Sequence, residues 1–226
     1  STALLYAFSQ RSGCVGVDEP FYGPFLERTG LDHPGRAEIL AAVPRKPEDS
    51  AEAMRRLFAS HPGEIYMKNM AHHMVDMPWD WASEAAHIFW IRHPRKVIRS
   101  FAKVWPQVNL DDIGIQEQVA QWAQIQGFTA PKILVDSDEM LANPAETFPK
   151  ICAALGIPFH AEMLQWPAGP KPYDGPWWPH WYSQVHASTG FGPANDLGEP
   201  LTGRYAEVEA EALPYYETLY SHRLAL

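Results

Sequence analysis

The residues best placed to do chemistry are basic and crowded. Arg92, Arg95, Lys96, Arg99 and Lys103, five of the chain's 18 Lys and Arg, share one short window that holds no acid. Arg92 follows the apolar run His87-Ile88-Phe89-Trp90-Ile91, a predicted strand. It therefore sits at the carboxyl edge of a sheet, where open α/β proteins bind ligands. Pro94 suits a first helical turn, so the next helix offers free N–H groups and its positive dipole end beside Arg92. Ser100, about two turns along, adds a hydroxyl. Together these residues form an anion site, best suited to phosphate; a solvated basic face accounts equally for the same spacing.

A second cradle is read at the start of the chain. Ser1-Thr2 precedes Leu4, Leu5 and Phe8 at the spacing of a buried helical face, so a helix N-terminus lies there. A chain that opens on a helix cap is expected to lack a preceding strand and loop. The bland alternative is a cap and nothing more.

Acid–base candidates cluster near two further predicted strands. Glu19, beside Asp18, ends the Val15–Val17 stretch; burial or its acidic neighbour would lift its pKa toward that of a general base. Capping a turn or pairing with an arginine is the competing role. Lys68 ends Glu64-Ile65-Tyr66-Met67-Lys68, with His72 and His73 close behind. Any of these three can stabilise charge on a leaving oxygen, and a histidine can accept a proton. His72 and Asp76 stand four apart, but no HExxH or other ligand triad accompanies them, so no metal is assigned. Lys171 and the run Trp177-Trp178-Pro179-His180-Trp181-Tyr182 are read as a purine-stacking wall or a loop pinned by its own tryptophans.

The elements that must position these groups alternate. Strands near 15–17, 64–68, 87–91 and 132–136 are separated by helices at 51–60, from 94 to about 104, at 116–124 and at 144–155. Gly156 and Pro158 stop the last of these, and a final helix over 203–223 bends near Pro214. This order predicts an α/β fold, a parallel β-sheet flanked by helices. Residues 166–200, rich in Pro, Gly and Trp, read as a C-terminal lid, and residues 1–226 as a single domain.

Composition narrows the classes. With 226 residues, 46% hydrophobic and 20% charged, the chain is globular; at net charge −9 it is not a generic nucleic-acid binder. No apolar run approaches the roughly 20 residues of a membrane span, and no signal peptide opens the chain. Cys14 and Cys152 fit no CxxC spacing, which favours a reducing cytoplasm. GxxxxGK[ST], GxGxxG and GxSxG are all missing. Oligomeric state is not legible.

The stretch from Ile88 to Ser100 resembles the strand–Arg–x–Pro–(Arg/Lys)–x–Val–x–x–Ser element of the P-loop sulfotransferase family. Asp136 to Pro144 with Leu155-Gly156-Ile157-Pro158 is similar to a later family stretch, and Val17 to Tyr22 to the glutamate-bearing segment of bacterial members. Tyr66-Met67-Lys68 stands where many members carry a Lys-x-His strand; position 70 is Met instead. The resemblance extends from residue 1 to about 192. It implies sulfuryl transfer from 3′-phosphoadenosine 5′-phosphosulfate to a hydroxyl or amine of a small-molecule acceptor, without a metal. Arg92 and Ser100 would bind the 3′-phosphate, and Ser1 and Thr2, standing at the end of the phosphosulfate loop, would hold the 5′-phosphosulfate; Lys171, read beside the aromatic run, is a further cofactor-binding candidate. Glu19, His72 or His73 would be the base, and Lys68 would steady the leaving oxygen. A P-loop phosphotransferase or nucleotide hydrolase, or a non-catalytic nucleotide-binding relative, is the alternative.

Overall fold

The computed structural model describes residues 1–226. In chain order the helices and strands are α1 (Thr2–Phe8), β1 (Val15–Asp18), α2 (Tyr22–Thr29), α3 (Arg36–Ala42), α4 (Pro47–Ser60), β2 (Ile65–Lys68), β3 (His87–Ile91) and α5 (Pro94–Phe101). They continue as α6 (Leu110–Ile113), α7 (Ile115–Gln124), β4 (Lys132–Asp136), α8 (Ser137–Ala142), α9 (Pro144–Ala154), α10 (Trp178–Trp181), α11 (Ser183–His186) and α12 (Arg204–Tyr220). The architecture is α/β, with parallel strands flanked by helices. The strands pair as β1 with β2 and β3 with β4, both parallel. All four predicted strands are present.

Two compact units emerge. One comprises Ser1–Ala82 and His160–Gly192; the other comprises Ser83–Phe159 and Pro193–Leu226. In the first, α1 packs on β1 and β2. Leu4, Leu5, Tyr6, Ala7 and Phe8 are all buried, so α1 is apolar on every side rather than on the single face its spacing suggests. A core of Tyr22, Phe25, Leu26, Ile39 and Leu40 takes in Trp177 and Tyr182. Within the Pro- and Trp-rich segment, Trp178 is exposed, while Trp166, Trp177 and Tyr182 are buried. The indole and phenol groups allow it, because each polar tip finds a partner inside.

In the second unit, α12 packs on α5, α7, β3 and β4 and runs on through Pro214. Strand-to-helix junctions are capped at once. Asp136 ends β4 and accepts from the N–H groups of Asp138 (2.9 Å) and Glu139 (3.1 Å), starting α8. At α9 the expected stop is realised. Gly156 takes a left-handed φ of 74°, and Ile157 N–H donates to Cys152 O (3.0 Å), closing a Schellman turn. Phe148, Ile151 and Cys152 are fully buried along this helix.

Phe148→Ala is expected to lower the unfolding free energy by about 3–5 kcal/mol, the usual cost of emptying an aromatic site in a core. Urea unfolding followed by circular dichroism measures this; a change below about 1 kcal/mol would mean the site collapses or is less well packed than described.

Candidate functional site

Strand register builds the site. Pairing of Val15 with Ile65 runs through to Asp18 with Lys68, which places a carboxylate and an ammonium opposite each other at the ends of β1 and β2. The next residue, Glu19, turns sharply: its φ is +41°, uncommon for a residue with a side chain, and its N–H donates to Lys68 O (2.8 Å). That turn brings a second carboxylate onto the same ammonium. Lys68 Nζ donates to Asp18 Oδ1 (3.1 Å), to Glu19 Oε1 and to the Tyr182 hydroxyl (2.7 Å). An ammonium has three protons, and all three have partners. Lys68 is 5% exposed, Asp18 8% and Glu19 7%, so water contributes little to holding these charges.

The charge states follow from this enclosure. Burial drives Glu19 up, but the Lys68 charge and the adjacent His73 outweigh it, so its carboxyl lies well below the usual range. Asp18 moves the other way: burial, with the Glu19 charge in support, overcomes Lys68 and raises it. Lys68 is raised well above its ordinary value, because the attraction of Glu19 and Asp18 exceeds the burial penalty. His73 Nδ1 lies 3.2 Å from Glu19 Oε2.

The histidines stand against an aromatic wall. Tyr22 from α2 stacks on His73 with ring centres 4.4 Å apart, and its hydroxyl bonds His33 Nδ1 at 2.8 Å. Phe25 packs on His73 (4.5 Å) and His72 (5.2 Å). Burial, then the neighbouring His73, pushes His72 well below its ordinary value, so it is neutral at neutral pH. Its Nδ1 is buried and has no hydrogen-bond partner.

Of the residues singled out from sequence, Glu19, Lys68 and His73 thus meet in one cluster, with His72 beside His73. Ser1 stands at the N-cap of α1, but its hydroxyl donates to Met70 Sδ (4.0 Å) rather than capping the helix. Lys171 turns inward: its ammonium donates to Pro167 O and Gly169 O, both at 2.6 Å, and covers the Tyr6 ring. In the second unit, Arg92 Nε is buried without a partner, and Ser100 is exposed on α5. His93 Nδ1 accepts from Arg95 N–H (3.2 Å), so one of the N–H groups expected to be free at this helix end is capped. The basic window is largely neutralised within its own unit. Arg95 pairs with Glu209 (2.8 Å) and Lys96 with Asp138 (2.9 Å), while Arg99 donates to Glu199 O. Asp76, weighed with His72 as a metal ligand, pairs with Arg28 instead. No group of three or more His, Cys, Asp and Glu is arranged to hold a metal ion.

The sequence marks Trp177 and Tyr182 as part of one aromatic run but does not place them against Lys68 and Asp18. The signal was there in part: a Trp and a Tyr in a Pro-rich run each need a buried hydrogen-bond partner. Nothing local shows that the partner lies some 160 residues away.

A family model described as a sulfotransferase domain matches residues 1–223, and the chain belongs to that family. Among curated proteins it is similar to branched-chain-amino-acid aminotransferase-like protein 2 of Arabidopsis thaliana, 33% identical over 226 residues. It is 34% identical over 224 residues to branched-chain-amino-acid aminotransferase-like protein 1 of the same plant. Each alignment covers 98% of this chain but only 40% of the relative, so the chain spans about two fifths of their length. Among solved structures, the sulfotransferase domain from the curacin biosynthetic pathway aligns over 85% of this chain and 77% of its own. The identity is 16% and the TM-score 0.44.

Lys68→Met is expected to destabilise the protein by about 3–5 kcal/mol at neutral pH, because two buried carboxylates lose their counter-charge. The pH dependence should also invert. In the parent, the lowered Glu19 contributes stability above about pH 4.3, its unfolded value, that is lost as pH falls toward its folded one. Without the lysine both carboxylates are raised, so the variant should gain relative stability on acidification. Thermal unfolding between pH 4 and 8 reads the sign; parallel curves for the two proteins would overturn the account.

Proposed function

We propose that this protein transfers a sulfuryl group from 3′-phosphoadenosine 5′-phosphosulfate to a hydroxyl or amine of a small-molecule acceptor. Family membership supports the class, and the resemblance around Arg92 and Ser100 supports the donor. One observation carries the acid–base part: two buried carboxylates share a single lysine, and a histidine stands 3.2 Å from one of them. With both acids ionised, the cluster of Asp18, Glu19 and Lys68 carries one excess negative charge. A proton taken up at the neighbouring His73 offsets that charge.

The reaction then proceeds as follows. The acceptor oxygen or nitrogen attacks sulfur, the bond from sulfur to the bridging oxygen of the 5′-phosphate breaks, and 3′-phosphoadenosine 5′-phosphate departs. The acceptor proton passes to the Glu19–His73 pair. His73 is the better receiving group, because Glu19 is held too acidic by Lys68 to be a strong base. Glu19 instead orients the imidazole and stabilises its cation, as a carboxylate does beside a catalytic histidine. Lys68 holds Glu19 ionised. On the resemblance, Arg92, with its unpartnered buried Nε, and Ser100 are assigned to the donor's 3′-phosphate. The two free cysteines, Cys14 and Cys152, suit a reducing cytoplasm.

The curated relatives' names raise amino-group transfer. A lysine that works as a nucleophile must shed its proton, and Lys68 is gripped by two carboxylates that keep it charged. Sulfuryl transfer is the better reading.

The test is sulfated-product formation by mass spectrometry with the intact protein and a panel of hydroxyl and amine acceptors. His73→Ala and Glu19→Gln should each lower kcat about 100-fold or more, the general-base range, with donor affinity within about twofold. Arg92→Ala should weaken 3′-phosphoadenosine 5′-phosphate by about 1.5–3 kcal/mol in calorimetry, the value of a hydrogen bond to a charged group. An unchanged dissociation constant would remove Arg92 from the donor site. A thermal shift with ATP and none with the desulfated nucleotide would favour a phosphotransferase.

A further inference from the structure

The Tyr182 hydroxyl is 2.7 Å from Lys68 Nζ, 3.0 Å from Trp177 Nε1, and 2.9 and 2.8 Å from the two Asp18 oxygens. Its hydrogen-bond roles follow by elimination. An ammonium and an indole N–H only donate, so they take the hydroxyl's two lone pairs, and its one proton goes to Asp18. Asp18 is then surrounded by donors. Gly175 N–H (3.0 Å) and Trp177 Nε1 (3.1 Å) reach Oδ2, and Lys68 (3.1 Å) reaches Oδ1. Such a set suits a carboxylate and leaves no place for a proton on it. Glu19 differs, with only Lys68 and His73 against its oxygens. One side of the ammonium is thus held by a carboxylate with fixed donors on both oxygens, and the other by a carboxylate whose second oxygen meets an imidazole.

We propose that Tyr182 is a positioning residue for the transfer reaction: with Asp18 and Trp177 it pins the Lys68 ammonium against Glu19, so that Glu19 stays ionised beside His73 throughout turnover. This rests on the sulfuryl-transfer reading. The groups bearing on Glu19 are Asp18 and Lys68 at the strand ends, His72 and His73 in the turn after β2, Tyr22 of α2, His33, and Tyr182 itself. Asp18 links the ammonium to the segment 175–182 indirectly, through Gly175 and Trp177, whereas Tyr182 bonds Lys68 directly from that segment. With phenylalanine in its place, Asp18 loses one donor and draws Lys68 toward itself and away from Glu19.

The experiment is Tyr182→Phe in the intact protein, with Tyr205→Phe as a control that removes a hydroxyl bonded to Pro106 O in the second unit. The expected result is a kcat lowered about 10-fold or more with KM for donor and acceptor within about twofold, together with an acid limb of kcat displaced toward neutral pH. A purely structural role would lower activity through loss of folded protein and leave that limb in place. A second readout needs no turnover: carbon NMR of the protein labelled in glutamate carboxyls should show Glu19 titrating at higher pH in Tyr182→Phe than in the parent. Trp177→Phe, which keeps the phenol, should move Glu19 in the same direction by less and serves if Tyr182→Phe does not fold. An unmoved Glu19 titration with unchanged kcat overturns the proposal. A parent that transfers no sulfuryl group while Glu19 still shifts in the variant overturns the functional reading alone.

Discussion

A lysine ammonium buried at the end of two parallel strands is the constraint from which the first unit's geometry follows. Removing such a charge from water costs several kcal/mol, and is tolerated only when counter-charge and every hydrogen bond are supplied in return. Asp18 comes from the paired strand, Glu19 from the residue after it, and Tyr182 from far along the chain. Strand register is tied to this set. A slip by one residue would turn Lys68 to the opposite face and strand two carboxylates without a partner. The positive φ at Glu19 has the same origin, since an extended residue there would carry the second carboxylate away from the ammonium.

The second unit handles charge differently. Its positive excess lies along α5, partly exposed, and is met by groups that arrive late in the sequence. Glu209 takes Arg95, Asp138 takes Lys96, and the backbone of residues 195–199 takes Lys96, Arg95 and Arg99. A window that looks like an anion trap in the linear chain is mostly occupied by the protein's own acceptors. Arg92 is set apart because it precedes the helix and the ring of acceptors does not reach its Nε.

Much of this was legible from local signals. Four apolar runs became four parallel strands, and the stop at Gly156 and the placing of Pro94 were realised as caps and turns. Glu19, Lys68 and His73 were picked out by type and by their place at strand ends, and they do converge. Long-range partnership was not legible. Tyr182 looked like part of a cover because a Trp- and Pro-rich run carries no period, yet its ring is core and its hydroxyl a ligand to Lys68. Lys171 looked available because nothing in the sequence reveals that two carbonyls of its own loop take its protons. The internal partners of Arg95, Lys96 and Arg99 in the basic window were hidden for the same reason.

The two neighbouring acids differ in what surrounds them. Asp18 and Glu19 share one lysine, but Asp18 is bonded on both oxygens by fixed donors, so a proton arriving there would have to displace one. Glu19 has an imidazole rather than a fixed donor on its second oxygen. Protonating that imidazole sets a cation beside a carboxylate inside a low-dielectric enclosure, where the attraction is strong, and cancels the cluster's surplus negative charge. The resting protein carries the uncompensated charge, and the reacting one does not. Under the proposed transfer reaction an acceptor proton would supply the difference, and the lysine's incomplete neutralisation of its two acids would then serve the chemistry.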